Sequence, residues 1–368
     1  MSSGQANDLI PVTLLTGFLG SGKTTVLNHL VRQPELHDAL VIINEFGEMA
    51  LDHLLVAHST ENLVMEMSSG CLCCNIRGDL VKTLRDITWR FSREGRRQFG
   101  RVLIETTGLA DPAPILHTLM TDPQIASRYR LDGIVTAVDL TTGADTLDRH
   151  PEAVKQAALA DVLLLTKADQ TSEDEREPLL RRLDDINPAA PRWTVHQGIV
   201  APAGIMNLGL FGARGRSPDI QRWLGEAHYA PAPAEQQQAG SDSLVPAHHQ
   251  PPHDNVNRHN DRIRAFCFSV EKPIPEARLN AWLDMLMGLL GERILRVKAI
   301  FNVAEHDRPL VAQGVQHVFY PPVFLPAWPD DDRRSRAVFI TDGLSRNTIE
   351  RTFQIFSNEQ ANPAGIEA

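Results

Sequence analysis

One stretch, Gly17-Phe18-Leu19-Gly20-Ser21-Gly22-Lys23-Thr24, constrains this chain more than any other. It satisfies every fixed position of G-x-x-x-x-G-K-[ST]. An apolar run precedes it and the amphipathic segment TTVLNHLV follows, so strand, loop and helix come in the order a phosphate cradle needs. Glycines let successive backbone N–H groups curl around phosphate oxygens, and the helix start adds positive potential. Lys23 is expected to reach the β- and γ-phosphates and the Thr24 hydroxyl to ligate Mg²⁺. Gly17, Gly20, Ser21, Gly22 and Thr25 complete the expected nucleotide cradle.

The surrounding pattern agrees. Through residues 9–228, apolar runs (LIPVTLL, ALVII, NLVMEM, RVLIE, GIVTAV, DVLLLT, RWTVH) alternate with amphipathic stretches. Ile76, Leu80, Leu84, Ile87 and Phe91 recur at helical spacing. Such alternation predicts a mainly parallel sheet covered by helices on both faces. Residues 229–260 lose all periodicity and are rich in Pro, Gln, Ser and His, which reads as a linker. Order resumes with strand candidates RIRAFCFSV, ILRVKAIFNV, VQHVFYPPV and SRAVFIT. A helix carrying Leu279, Trp282, Leu283, Leu286 and Leu289 follows the first, and a last helix is expected near 345–356. The expected architecture is α/β: a P-loop NTPase domain over 8–228, a linker over 229–260, and a small α+β C-terminal domain over 261–358.

Two further segments suit nucleotide chemistry. RVLIETTG (101–108) has the form of a Walker B strand, with Glu105 at its end. That carboxylate can hold a metal's water shell or orient the attacking water, and Gly108 can offer its N–H to a γ-phosphate. Thr166-Lys167-Ala168-Asp169 ends the run DVLLL and resembles N-K-x-D with Thr in place of Asn. The Asp169 carboxylate can accept from guanine N1–H and N2–H₂ together, a pattern adenine lacks, while the Lys167 stem packs over the base. GTP is therefore the expected nucleotide.

Of four cysteines, Cys71, Cys73 and Cys74 sit together. Residues this close cannot form the spaced bridges of a secreted scaffold. In a turn, thiolates at i, i+2 and i+3 can converge on one tetrahedral ion such as Zn²⁺ or Co²⁺, with a fourth ligand from elsewhere. A redox switch and a tightly packed interior turn are the alternatives. Cys267 is read as a small apolar residue. After the second strand, Glu45 is a candidate for either metal and Glu48 a weaker one. His228, His248, His249, His253 and His259 in and beside the linker offer a weak metal tether or a solvated loop.

Charge and composition exclude other classes. A formal net charge of −10 disfavours nucleic acid, whose phosphates select basic surfaces. No apolar run approaches the roughly 20 residues a membrane span needs. The N-terminus MSSGQAND lacks the basic and apolar regions of a secretory signal, so a cytoplasmic location is expected.

Taken in order, GFLGSGKTT, NEFGE, GCLCC, ETTGLADP and TKAD resemble the CobW-type GTPases, and LRVKAIFNV with RPLVAQGVQHVFYPP resembles that family's C-terminal domain. The resemblance covers nearly the whole chain apart from linker and tails. It implies a GTP-hydrolysing metallochaperone that binds Zn²⁺ or a similar metal, with Cys73 and Cys74 the foremost ligands and Cys71 in the same motif. It also implies a client metalloprotein, docked through the C-terminal domain, and leaves a homodimer open. A regulatory switch or metal sensor without transfer is the alternative function, and a small-molecule kinase a more distant one.

Overall fold

Strand β1 (Ile10–Gly17) is apolar and almost wholly buried, and it lies at the centre of a seven-stranded sheet. A computed structural model describes residues 9–43, 63–66, 76–209, 220–229 and 262–357. The other strands are β2 (Ala39–Ile43), β3 (Leu63–Glu66), β6 (Arg101–Glu105), β7 (Tyr129–Asp139), β8 (Val162–Thr166) and β9 (Arg192–Thr194). Their order is β3-β2-β6-β1-β7-β8-β9, and every neighbouring pair is parallel. A short hairpin of β4 (Ser92–Arg93) and β5 (Arg96–Arg97) stands outside it. Parallel strands need crossovers, and among the described residues these carry helices α1 (Lys23–Leu30), α2 (Ile76–Arg90), α3 (Ala113–Thr121), α4 (Pro123–Ala126), α5 (Gly143–Arg149), α6 (Pro151–Leu159) and α7 (Glu173–Ile186).

Both faces of the sheet carry a core. On one face Val12, Leu14, Ile42 and Ile104 meet Leu80, Leu84 and Ile87 of α2 and Leu116 of α3. On the other, Leu15, Val41, Leu103 and Leu164 meet Val26, Leu27 and Leu30 of α1. Burial on both sides is why these strands read as unbroken apolar runs rather than alternating ones.

The second sheet is antiparallel. It contains β10 (Ile263–Val270), β11 (Ile294–Phe301), β12 (Leu310–Val315), β13 (Val318–Phe319), β14 (Val323–Phe324) and β15 (Ser335–Asp342), ordered β10-β15-β11-β12-β13 with β14 also on β12. Helix α8 (Ile220–Leu224) precedes this domain, and Trp223, Leu224 and Tyr229 pack against Ile300, Val311 and Val338. On another face, α9 (Glu276–Leu290) and α10 (Arg346–Ser357) bury Leu279, Trp282, Leu286 and Ile349. Among the described residues no helix is long and apolar enough to cross a membrane.

Two expectations fail here. Leu289 is 75% exposed, because the buried stripe of α9 continues through Leu290 instead. VQHVFYPPV is not one strand. Gln316 turns the chain with φ 52, pairing Val315 with Val318 in a tight hairpin, and the strand β12 lies upstream in LVAQGV.

The two sheets are joined by charge as well as apolar packing. Arg296 on β11 donates to the Leu159 carbonyl and to the Asp161 carboxylate, and Lys298 reaches Asp161 at 3.0 Å. Asp161 also accepts from the Ile134 amide at 3.0 Å. Burial raises the Asp161 carboxyl, but Arg296 and Lys298 outweigh it and hold it below the ordinary range. For Lys298, burial and repulsion from Arg296 prevail over Asp161, and its ammonium is pushed down to about 8.

These shifts make a pH-dependent prediction. An unfolded lysine keeps its proton up to about 10.4. Between about pH 8 and that value the unfolded chain therefore binds more protons, and stability gains with rising pH. Relative to wild type, Lys298→Met should lose this gain in urea melts run at pH 7.5 and 9.5, while remaining within about 1 kcal/mol at the lower pH because Arg296 still neutralises Asp161. Arg296→Met should cost about 3 kcal/mol.

Candidate functional site

Because all seven strands run parallel, their C-terminal ends share one edge, and the expected site residues gather there. Gly17, at the end of β1, adopts φ 140. A Cβ at this position would lie 2.4 Å from the Ala137 carbonyl and 2.8 Å from Ser21 Oγ, so only glycine fits. Gly20 and Gly22 are left-handed at φ 73 and φ 84, which turns the loop back into α1. Ser21 Oγ is buried with no hydrogen-bond partner among the described residues. Lys23 Nζ donates to the Gly17 and Phe18 carbonyls at 2.8 and 3.0 Å. The curled loop and helix start therefore form a cradle suited to phosphate oxygens.

Register places the carboxylate. Leu15 pairs with Glu105 and Thr106 N donates to the Leu15 carbonyl at 3.0 Å, so β6 ends beside the loop. The Thr24 hydroxyl donates to Glu105 Oε1 at 2.9 Å, in a site where Glu105 is buried. Two hard oxygen donors at this separation fit Mg²⁺. The chain then runs against the loop: a Cβ on Gly108 would lie 2.5 Å from Leu19 N. Gln156 Nε2, from α6, donates to the Gly108 and Ala110 carbonyls at 3.2 and 3.0 Å.

On the other side of β1, Thr166 is tied to the cradle. Its hydroxyl donates to the Ser21 carbonyl at 2.8 Å, and its methyl-bearing carbon lies beside Gly22. The residue in place of Asn thus bonds the phosphate loop. Lys167 is left-handed at φ 57 and its ammonium meets Asp139 Oδ2 at 2.6 Å, which fixes the lysine stem. Burial raises the Asp139 carboxyl, but Lys167 and Thr141 together hold it below the ordinary range. Asp169 is exposed in the turn Ala168–Gln170. Beyond β9, the turn His196–Ile199 presses on α1: a Cβ on Gly198 would lie 2.8 Å from the Thr25 carbonyl.

Residues 11–194 match the family described as CobW/HypB/UreG, nucleotide-binding domain, and residues 263–356 match the cobalamin synthesis protein cobW C-terminal domain. The chain belongs to the CobW family of GTPases. It is 31% identical over 345 residues to the zinc chaperone YjiA of Escherichia coli, covering 94% of this chain and 98% of that protein. Against the zinc chaperone CobW of Pseudomonas aeruginosa it is 28% identical over 373 residues, covering 92% and 89%. Among solved structures, Zn(II)-bound YjiA GTPase from E. coli superposes with a TM-score of 0.65 at 26% identity, covering 95% of this chain and 99% of that one.

Within this CobW-family site, the structure places the expected residues Gly17, Gly20, Ser21, Gly22, Lys23, Thr24, Thr25, Glu105, Gly108, Thr166, Lys167 and Asp169 at one edge. Glu45, Glu48, Cys71, Cys73, Cys74, His248, His249, His253 and His259 lie outside the described residues. His228 is exposed, and Cys267 is half-buried with its thiol pushed up to about 12 by burial and by Glu226. Among the described residues no three metal-ligating side chains come together. Sequence reasoning missed Asp139 and Gln156. An acidic residue ending the apolar run GIVTAV was a usable signal for the first; nothing marked the second.

The Thr166–Ser21 bond generates a test. Thr166→Val should weaken GTP and GDP binding alike by about tenfold, the effect of leaving one buried carbonyl unpaired. Fluorescent-nucleotide titration measures it, and turnover at saturating GTP should be unchanged.

Proposed function

We propose that this CobW-family protein is a GTP-driven zinc carrier that loads Zn²⁺ at Cys71, Cys73 and Cys74, with Glu45 at the same site, and releases it to a recipient metalloprotein on hydrolysis. The observation that carries the reading is the bond between Thr24 and Glu105 at the mouth of a phosphate loop. It sets a hydroxyl suited to a Mg²⁺ ion and a carboxylate where the γ-phosphate end of a nucleotide would lie. Two relatives that cover most of the chain are named zinc chaperones.

In this reading Gly17, Gly20, Ser21, Gly22 and Thr25 cradle the phosphates. Lys23 exchanges the Gly17 and Phe18 carbonyls for β- and γ-phosphate oxygens. Mg²⁺, held by Thr24 with Glu105 behind it, would offset phosphate charge when bound. Glu105 orients the attacking water, and Gly108 offers its N–H to the γ-phosphate. Asp169 reads guanine while Asp139 steadies the Lys167 stem against the base. A site that relies on positioning alone, with no arginine finger in its motifs, hydrolyses slowly by itself.

The thiolates are linked to this chemistry through the sheet. Ile43 pairs with both Glu66 and Glu105, so β3 and β6 end on one row, two strand spacings or about 10 Å apart. The strand β3, which precedes Cys71 in sequence, therefore ends at the edge that holds the γ-phosphate end. Three neighbouring thiolates need a reducing compartment, which favours the cytoplasm. We assign recipient docking to the C-terminal domain, and a homodimer is compatible with the same scheme.

The decisive experiment measures Zn²⁺ affinity by chelator competition in GTP-analogue and GDP forms. Tighter binding in the analogue form, by at least about fivefold, is expected, and metal should raise analogue affinity by the same factor. The Cys73→Ser/Cys74→Ser variant should lose it. Equal affinities would leave an ordinary GTPase switch beside a structural metal. Glu105→Gln should bind GTP and hydrolyse it at least about tenfold more slowly.

A further inference from the structure

Helix α6 touches three parts of the molecule in nine residues. At its start, the His150 ring stacks on Phe18 of the phosphate loop, with centroids 4.4 Å apart. In its middle, Gln156 is fully buried and donates to the Gly108 and Ala110 carbonyls, while Lys155 meets Asp111 at 3.5 Å. The Thr136 hydroxyl donates to the carbonyl of Gln156 itself, at 2.8 Å. At its end, the Leu159 carbonyl accepts from Arg296 of the other sheet, and Asp161 just beyond accepts from Arg296 and Lys298.

The segment from Glu105 to Asp111 is tied at its start to β1 through Thr106 and within itself by Ala110 N on the Thr107 carbonyl, and α6 adds the contact at its middle. The segment presents two carbonyls to one buried amide, and that amide sits a single helical turn from the carbonyl that Arg296 grips. A turn advances about 5.4 Å, and a packed helix moves as a unit. Any shift of β11 is therefore delivered to the backbone of Gly108 with little slack.

We propose that Gln156 is a positioning residue for GTP hydrolysis, and that Arg296 and Lys298 reach the hydrolytic loop through it, making the C-terminal domain a control input on turnover. The inference rests on the GTPase reading above. Gln156 acts through the backbone: it holds the loop that follows Glu105 and carries the Gly108 N–H. A recipient that pulls or presses on β11 changes the rate at the other end of α6.

The test uses the full-length protein, single-turnover GTP hydrolysis and separate titrations of GTP and GDP. Gln156→Met keeps shape and removes the donors, and should lower the hydrolysis rate at least about tenfold with GDP affinity within about twofold of wild type. Lys298→Met, which leaves the Arg296–Asp161 pair in place, should change the rate about two- to fivefold in the wild-type background and leave it unchanged in the Gln156→Met background. That non-additivity is a readout that mere loss of stability does not produce. Should Gln156→Met fail to fold, Lys155→Met supplies the same test from the half-exposed side of the helix, with a slower rate and unchanged GDP affinity expected. An unaltered rate in the folded Gln156 or Lys155 variant overturns the positioning role. Equal effects of Lys298→Met in both backgrounds overturn the link to the second domain. A wild-type protein that binds GTP and never hydrolyses it defeats the GTPase reading instead.

Discussion

The pairing of β1 with β6 on one side and β7 on the other governs nearly everything polar in the first domain. One neighbour brings Glu105 level with Leu15, so that its carboxylate meets the Thr24 hydroxyl. The other brings the Ala137 carbonyl so close to Gly17 that no side chain can be tolerated there. A shift of one residue in either register would reverse which side chains face the core. Leu14 and Leu15 fill packed cores on opposite faces, so a slip would force both cores to repack. Core packing on two faces thus fixes the catalytic geometry at the strand ends.

The base side of the cradle illustrates how a departure from a motif keeps its work. Thr166 is shorter than Asn, yet its hydroxyl still reaches the Ser21 carbonyl, because β8 lies one strand from β7 and two from β1. The carboxylate to which the proposed function gives guanine recognition, Asp169, lies three residues on and takes no part in that bond. Lys167 is restrained by Asp139 rather than by the motif itself. In the proposed scheme, binding strength and base choice are therefore carried by different side chains.

Strand and helix patterns in the first domain were legible because burial on both faces leaves unbroken apolar runs and because the glycine positions are stereochemically compelled. The loop, Glu105 and the TKAD segment could each be placed from local sequence alone. What could not be read were contacts made across long separations. Gln156 looks like any polar residue on an amphipathic helix, and only the fold brings it to Gly108. Asp161 looks like a turn residue until β11 arrives with Arg296 and Lys298. In the second domain β12 was invisible because Ala312, Gln313 and Gly314 give it neither alternation nor an apolar run. Leu289 was misplaced because one residue in a leucine-rich helix decides which leucine continues the stripe.

The central position of β1 also bears on how the chain comes off the ribosome. Its partners in the sheet begin at Arg101 and Tyr129 and end at Glu105 and Asp139, so β1 acquires neither neighbour until more than eighty further residues have been made. Contacts so distant in sequence close slowly, and until they do an almost wholly apolar segment stays open to other chains. At a translation rate of about 5–20 residues per second, that interval lasts on the order of ten seconds. The nucleotide loop at the end of β1 is therefore an early product of synthesis and a late product of folding. Nascent-chain chaperones have their longest opportunity at the segment around which the finished enzyme is built.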